Sequence, residues 1–301
     1  MATSTGAELT IRPMRTADLA AAERVTAEGF YELEMRTRPA DLPPPSMRSG
    51  EGAQSWVRRV QHILEHDPEG CWVAESGSGL VGVAVSMRRD LTWILATYAV
   101  RPGFQGHGLG RQLLEAALSH GRGCLRGMLA ASADPRAARR YRQAGFRLHP
   151  TMSLTGVVDR TAIPLVERVR EGSVGDVDLM NSVDRQVRDA AHGVDHELLA
   201  STYRLLVVDR STGSGYAYSP PGGGGPYLLA ATNRRTATAL LWEVLAGSAE
   251  GEEVHVDQVT DVNEWALDVG MTAGLSLHCS GYLALRHMKP PRPYLPSAHF
   301  L

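Results

Sequence analysis

The sequence has little cysteine, almost no lysine and no long hydrophobic run. Three cysteines among 301 residues, with no C-x-x-C spacing, exclude a disulfide framework and favour a reducing, cytoplasmic compartment. No apolar run approaches the roughly 18 residues that a membrane-spanning helix needs. The first ten residues lack the basic and apolar stretches of a secretory signal. We therefore expect neither a membrane protein nor a secreted one.

Positive charge is not in excess either. Lysine and arginine total 31 against 33 aspartate and glutamate residues, so the formal net charge is −2. Nucleic-acid binding draws much of its affinity from basic side chains that displace counterions, so this balance argues against a nucleic-acid partner. Lys289 is the only lysine, and this preference for arginine is a bias of composition rather than a local site.

Length and element order indicate two domains of mixed-sheet α/β (α+β) architecture. At roughly 150 residues per domain, a chain of 301 residues fits two. Residues 8–156 alternate between strand and helix patterns, and the strand predicted at 146–156 closes this half. The following residues repeat the order of elements without obvious residue identity. We predict one domain at residues 1–157 and a second at 158–301. The second ends in a proline-rich tail, which we expect to lie across the interface of the two halves rather than to be disordered.

The most informative segment joins a buried strand to a helix. Residues 91–100 are almost entirely apolar, as expected of a central strand, and residues 108–121 follow a helical pattern. The loop between them contains Gln105, Gly108 and Gly110. Glycine allows positive φ and close approach of a ligand. The N–H groups of the loop and helix start, together with the helix dipole, predict an anion site suited to a pyrophosphate.

A second motif lies downstream, at residues 134–146. It reads Asp-Pro-Arg-Ala-Ala-Arg-Arg-Tyr-Arg-Gln-Ala-Gly-Phe and predicts a helix with proline at its first position. Together with Gln105-x-x-Gly108-x-Gly110, it resembles the signature of the GCN5-related N-acetyltransferases (the GNAT family). Asp134 stands where that family more often has asparagine. The resemblance covers about residues 7–156, whereas residues 158–301 are similar to the family in element order only.

The resemblance implies an acyl donor, acetyl-CoA, and a set of residues that bind it. Its pantetheine arm would pair with the end of the central strand, and its pyrophosphate would lie on the loop. The implied binding residues are Tyr98, Ala99, Val100, Gln105, Gly106, His107, Gly108, Leu109, Gly110 and Arg111. The resemblance also implies that Tyr141 protonates the leaving CoA thiolate. A phenol of pKa near 10 is a reasonable acid for a thiolate of pKa roughly 8.5.

The acceptor side is less defined. The residues that the resemblance places beside the acceptor are Glu28, Tyr31, Glu32 and Glu34. Any of the three glutamates could be the general base, but each is also a plain surface charge, and a water chain or a neutral acceptor could replace a base. His192, Asp195 and His196 offer metal-ligand spacing, but Gly193 weakens a helix there, so no metal is predicted.

The predicted function is N-acetyl transfer from acetyl-CoA to an amine, with a small molecule favoured as acceptor. A non-catalytic acyl-CoA-binding or regulatory module is the alternative, because the strand before the loop carries no carboxylate. Another acyl group, a hydroxyl acceptor and a homodimer all stay open. Residues 232–236 replace the glycine motif in the second half, so we predict a degenerate domain and one CoA site per chain.

Overall fold

The computed structural model describes residues 9–38 and 44–301. The chain divides into two compact units, one of residues 1–88 and 93–124 and one of residues 89–92 and 125–301. Residues 1–8 and 39–43 lie outside the described part. The second gap falls within the proline-rich stretch 38–45, which the sequence predicts to be a loop. The predicted domain boundary at residue 157 stays a prediction. Among the described helices, none is long and apolar enough to cross a membrane.

The described residues of the first unit form a four-stranded sheet and three α-helices. The sheet order is β1-β2-β3-β4. The strands are β1 (Thr10–Pro13), β2 (Cys71–Ser76), β3 (Gly79–Arg89) and β4 (Thr92–Val100). The helices are α1 (Leu19–Thr37), α2 (Gly50–His66) and α3 (Leu109–His120).

The centre of this sheet is apolar on both faces. Every residue of β3 from Leu80 to Met87 is buried, as an unbroken apolar run predicts. Helix α2 buries one face, which consists of Trp56, Val60 and Ile63. Their spacing of three to four residues places them on the same side of the helix. Ser49 begins this helix by accepting a hydrogen bond from the Gly52 N–H, the usual function of a serine N-cap.

The second unit contains nine strands and five helices among the described residues. Its strands are β5 (Arg126–Ala131), β6 (Arg147–Val157), β7 (Arg170–Glu171), β8 (Arg204–Val208), β9 (Gly215–Ser219), β10 (Leu228–Ala231), β11 (Glu253–Thr260), β12 (Ser276–Arg286) and β13 (Tyr294–Leu295). Its helices are α4 (Pro135–Gln143), α5 (Val177–Arg188), α6 (Asp195–Thr202), α7 (Arg234–Ala246) and α8 (Glu264–Thr272).

Strands from the two halves of the sequence interleave in this unit. The order is β5-β12-β6-β11, so β12 lies between β5 and β6 and is antiparallel to both. The strand predicted at residues 146–156 is β6, and its neighbours in the sheet are β12 and β11 rather than β5. A bulge near Gly281 accommodates the close approach of β5, since a Cβ on this residue would collide with the Ala131 carbonyl oxygen.

The remaining strands form a sheet of order β13-β10-β9-β8-β7. An apolar core underlies it, which includes Leu206, Ala217 and Leu229 of the sheet and buried residues of α7 and α8. The sequence predicts a pair of strands near residues 275–285, but the structure has one long strand there, β12. The proline-rich tail is packed, because Tyr294, Leu295 and Phe300 are buried.

Candidate functional site

The loop that follows β4 has the backbone conformation that its glycines predicted. Gly103, Gly106 and Gly108 have φ values of 86°, 90° and 86°, which side chains other than glycine rarely adopt. A Cβ on any of the three would meet no heavy atom within 4 Å. The glycines are therefore needed for conformation, and the space beside them is open to a ligand.

The backbone N–H groups of this loop are free to bind an anion. Within residues 9–38 and 44–301, the N–H groups of residues 105–110 donate no hydrogen bond to the protein. The first helical bonds of α3 come from Arg111 and Gln112, which both donate to the Gly108 carbonyl. Free N–H groups at a helix start combine with the positive end of the helix dipole, so the loop favours negatively charged groups such as phosphate.

Two residues of the motif, Gln105 and Gly110, contact β4. Gln105 donates from Nε2 to the Val100 carbonyl oxygen at 2.8 Å, which ties the loop back to the last residue of β4. Gly110 lies against the Tyr98 hydroxyl, and a Cβ there would collide with that oxygen. The structure thus brings together Tyr98, Val100, Gln105 and Gly110, four of the residues predicted to bind the cofactor.

The other predicted cofactor residues contribute in different ways. Leu109 buries its side chain, so only its backbone faces the loop. His107 is exposed. Arg111 is exposed and forms an ion pair with Glu115 on the next turn, at 3.6 Å. A pair this exposed holds a guanidinium weakly, so Arg111 remains available to a phosphate. Ala99 is buried within β4.

Helix α1 passes close to the end of β4. A Cβ on Gly29 would lie 3.4 Å from the Ala99 Cβ, so glycine at this position allows the close approach. One residue earlier, Glu28 accepts two hydrogen bonds from Arg101, at 2.6 and 2.9 Å. This ion pair raises the pKa of Arg101. The Glu28 carboxylate is therefore engaged with the residue that follows β4.

The other predicted acceptor residues lie further along α1. Tyr31 is half-buried, while Glu32 and Glu34 keep solvent access. Partial burial nevertheless raises the pKa of the Glu34 carboxyl, an effect that the charge of Arg48 opposes. The Glu34 carboxylate has no hydrogen-bond or ion-pair partner among the described residues, and a raised pKa suits a general base. The pairing of Glu28 was not readable from sequence, because Arg101 is 73 residues away.

Tyr141 lies on α4, in the second unit. Asp134 begins this helix by accepting a hydrogen bond from the Arg136 N–H at 2.8 Å, with Pro135 at the first helical position. Aspartate thus does what an asparagine N-cap does at the same position. Gly145, at a φ of 87°, ends the helix turn. The Tyr141 side chain is only 5% exposed.

The second unit contains a buried cluster that the sequence only partly revealed. Asp184, His192 and His196 bring one potential ligand atom each within 4.8 Å of one another. Asp195, which the sequence grouped with the two histidines, instead pairs with Arg89 through two hydrogen bonds of 2.6 Å. Asp184 could not be found by spacing, since it lies eight residues before His192.

The contacts of His192 favour a hydrogen-bonded network over a metal site in this cluster. Arg188 Nη1 lies 2.7 Å from His192 Nε2. A guanidinium can only donate, so Nε2 accepts and Nδ1 carries the proton, which it donates to Asp184 at 2.8 Å. A cation bound at Nδ1 would displace that proton and lie near the Arg188 charge. Burial and the Arg188 charge lower the pKa of His192 to about 4, which keeps it neutral.

Known proteins resemble this chain in sequence over one region and in fold over nearly all of it. Residues 27–146 match the model of the acetyltransferase (GNAT) family. A search of curated proteins gave no significant match. A candidate acetyltransferase from Pyrococcus horikoshii has a TM-score of 0.74 and 17% identity, covering 97% of this chain and 95% of that one.

Two further solved structures extend the likeness in fold. A GCN5-related N-acetyltransferase from Kribbella flavida has a TM-score of 0.59 and 16% identity, covering 94% of this chain and 72% of that one. A tandem GNAT protein from the clavulanic acid biosynthesis pathway has a TM-score of 0.56 and 15% identity, with coverage of 92% and 98%. Identities this low show a shared fold.

Proposed function

Because residues 27–146 belong to the GNAT acetyltransferase family, we propose that this protein transfers an acetyl group from acetyl-CoA to an amine, with a small molecule as acceptor. The observation that carries the proposal is the run of free N–H groups at residues 105–110, placed at the start of α3. It is an anion site of the kind that a pyrophosphate requires.

The residues predicted to bind acetyl-CoA divide between two parts of the cofactor. The N–H groups of residues 105–110 would hold the pyrophosphate, and Arg111 would add a charge-assisted contact. The backbone of Tyr98, Ala99 and Val100 would pair with the amides of the pantetheine arm. Gln105 and the Glu28–Arg101 ion pair hold the two ends of this surface in place.

The proposed reaction is a direct attack. The amine nitrogen forms a bond to the thioester carbonyl carbon, the carbon–sulfur bond breaks, and Tyr141 gives its hydroxyl proton to the CoA sulfur. The proton lost by the amine passes to Glu34 or to water. Positioning the two substrates side by side supplies much of the acceleration.

A non-catalytic acyl-CoA-binding module is the second candidate. It is favoured by one observation: β4 carries no carboxylate, and the nearest one on α1, Glu28, is held by Arg101. Tyr141→Phe separates the two functions. If the protein is an enzyme, this variant binds acetyl-CoA normally but transfers the acetyl group at a rate lowered by about a hundredfold, the typical contribution of a general acid. If Tyr141→Phe transferred the acetyl group to an identified acceptor at the wild-type rate, Tyr141 would not be the general acid.

Calorimetric titration with acetyl-CoA tests the binding site. We expect one site per chain in the wild type and at least about a hundredfold weaker binding in Gly108→Glu, where a carboxylate enters the anion site. Gly123→Glu is the matched control. Gly123 also has a positive φ, 85°, and an open Cβ position, but it lies beyond the other end of α3. Equal losses in both variants, or no binding by the wild type, would contradict the proposal.

A further inference from the structure

The last strand of the chain completes a sheet edge in the second unit. Strand β13 is antiparallel to β10, with Tyr294 opposite Ala230 and Leu295 opposite Leu229. The Ala231 N–H also donates to the Pro293 carbonyl at 3.3 Å. Within residues 290–301, called the C-terminal segment here, residues 293–295 thus pair with the backbone of β10 in the way that a peptide adds a strand to a sheet.

Asn263 holds the backbone of the same segment from another side. Its Nδ2 donates to the Pro291 carbonyl at 3.0 Å, and its Oδ1 accepts from the Tyr294 N–H at 3.0 Å. The same amide bonds Thr260 and Trp265, and the side chain is 1% exposed. The buried Asn263 amide thus binds a backbone carbonyl with its donor and a backbone N–H with its acceptor, which fixes the register of the segment.

The side chains of the segment are buried among other residues of the second unit. Tyr294 is fully buried, and its hydroxyl lies 3.2 Å from Arg188 Nη1. The same Arg188 atom donates to the Phe300 carbonyl at 3.3 Å. Leu295 belongs to the apolar core. These residues form a groove, lined by β10, Asn263 and Arg188, that holds an extended backbone. The groove therefore selects an aromatic residue followed by an aliphatic one.

The groove lies along β10, a strand whose place in the chain corresponds to that of β4 in the first unit. Strand β10 is the third of the strands β8, β9 and β10, as β4 is the third of β2, β3 and β4. We have proposed that the backbone of β4 pairs with a pantetheine arm. On β10 the corresponding backbone groups already pair with β13. This comparison rests on the proposed function, whereas the groove and its occupant do not.

We propose that the second unit is a peptide-binding module, formed by β10, Asn263 and Arg188, whose ligand is the chain's own C-terminal segment. The segment acts as a tethered ligand and closes to acyl-CoA the sheet edge that would otherwise resemble that of β4. The recognised ligand is an extended peptide containing the Tyr-Leu pair.

Cleavage of the folded protein tests the proposal. A site-specific protease sequence is inserted between Met288 and Lys289, just before the segment, and the purified protein is cut. We expect the released peptide to stay bound through gel filtration. After it is removed under mild denaturant, a fluorescent peptide of residues 290–301 should bind saturably. Excess acetyl-CoA should not displace it.

Variant peptides give the specificity of the groove. Tyr294→Phe removes the hydroxyl that meets the Arg188 charge, and should weaken binding about tenfold or more. Ala298→Ser, at an exposed position, should bind like the natural peptide. Equal binding by Tyr294→Phe and the natural peptide would overturn the proposed recognition.

Two further results would overturn the tethered-ligand proposal. One is a cut protein that loses its peptide and keeps its melting temperature. The other is a peptide-free protein that the added peptide neither binds nor refolds. Displacement of the peptide by acetyl-CoA would contradict the closed edge. None of these outcomes is read from acyl transfer. The calorimetric titration with Gly108→Glu tests acetyl-CoA binding separately.

Discussion

Asp184 is the residue on which the buried network of the second unit converges. Its Oδ2 accepts hydrogen bonds from His192 and His196, and Tyr216 donates to its Oδ1. Burial acts to raise the pKa of Asp184, but the hydrogen bonds from His192 and His196 and the charge of Arg188 hold it below its ordinary value. The carboxylate is therefore ionised, and Arg188 supplies a compensating charge. Such a network is stable only while each member keeps its protonation state.

We predict that His192 makes the protein sensitive to mild acid. Its pKa is lowered from 6.5 to about 4 in the folded state, so the unfolded chain binds more protons between these values. The free energy of unfolding should fall as the pH falls from 6.5 to 4, by up to about 3 kcal/mol. Asp184, whose folded pKa is depressed, adds a loss only as the pH falls through 3.8. Chemical denaturation across this pH range measures the effect.

His192→Asn separates the titration from the packing. Asparagine can still donate to Asp184 but cannot take up a proton, so the variant should be less stable at pH 7.5 and lose less stability between pH 6.5 and 4. His255→Asn, at an exposed position on β11, is the control and should keep the wild-type slope. A wild-type slope in His192→Asn would show that another group carries the pH dependence.

At the scale of the element, the sequence predicts what depends on local chemistry. β3, β4 and α3 follow from unbroken apolar runs and helical spacing, and the loop between β4 and α3 follows from glycines that need positive φ. α6 was not predicted, because its buried face includes Asp195 and His196. A polar residue can be predicted as buried only when its partner is known. The partner of Asp195 is Arg89, which is 106 residues away in the sequence.

The neighbour of a strand is even less accessible to sequence reading. Alternating or continuous apolar residues tell which faces of a strand are buried, but not which strand lies beside it. The strand predicted at residues 146–156 is confirmed as β6. The strands that flank it, β12 and β11, lie more than 90 residues further along the chain. The same limit applies to the site: the loop could be predicted, and the Glu28–Arg101 pair that holds α1 to it could not.

At the scale of the whole molecule, the interleaved strands predict that neither half of the sequence folds alone. A chain ending at residue 157 keeps β5 and β6 but lacks β12, which pairs with both. Two long strands would then expose unpaired edges, which favour aggregation. We expect fragments 1–157 and 158–301 to be insoluble when expressed singly and soluble when expressed together. Soluble yield and cooperative thermal unfolding are the measurements.

A spliced fragment tests whether β12 is the missing element. Ser276 is opposite Thr155, so β12 begins beside the end of β6, and a short Asn-Gly turn can join Val157 to Ser276 as a hairpin. Residues 1–157 extended in this way by residues 276–286 should gain solubility. The same fragment extended by β11, residues 253–260, should not, because β11 contacts only the outer edge of β6. If fragment 1–157 unfolded cooperatively at the full-length melting temperature, the interleaved pairing would not be what holds the halves together.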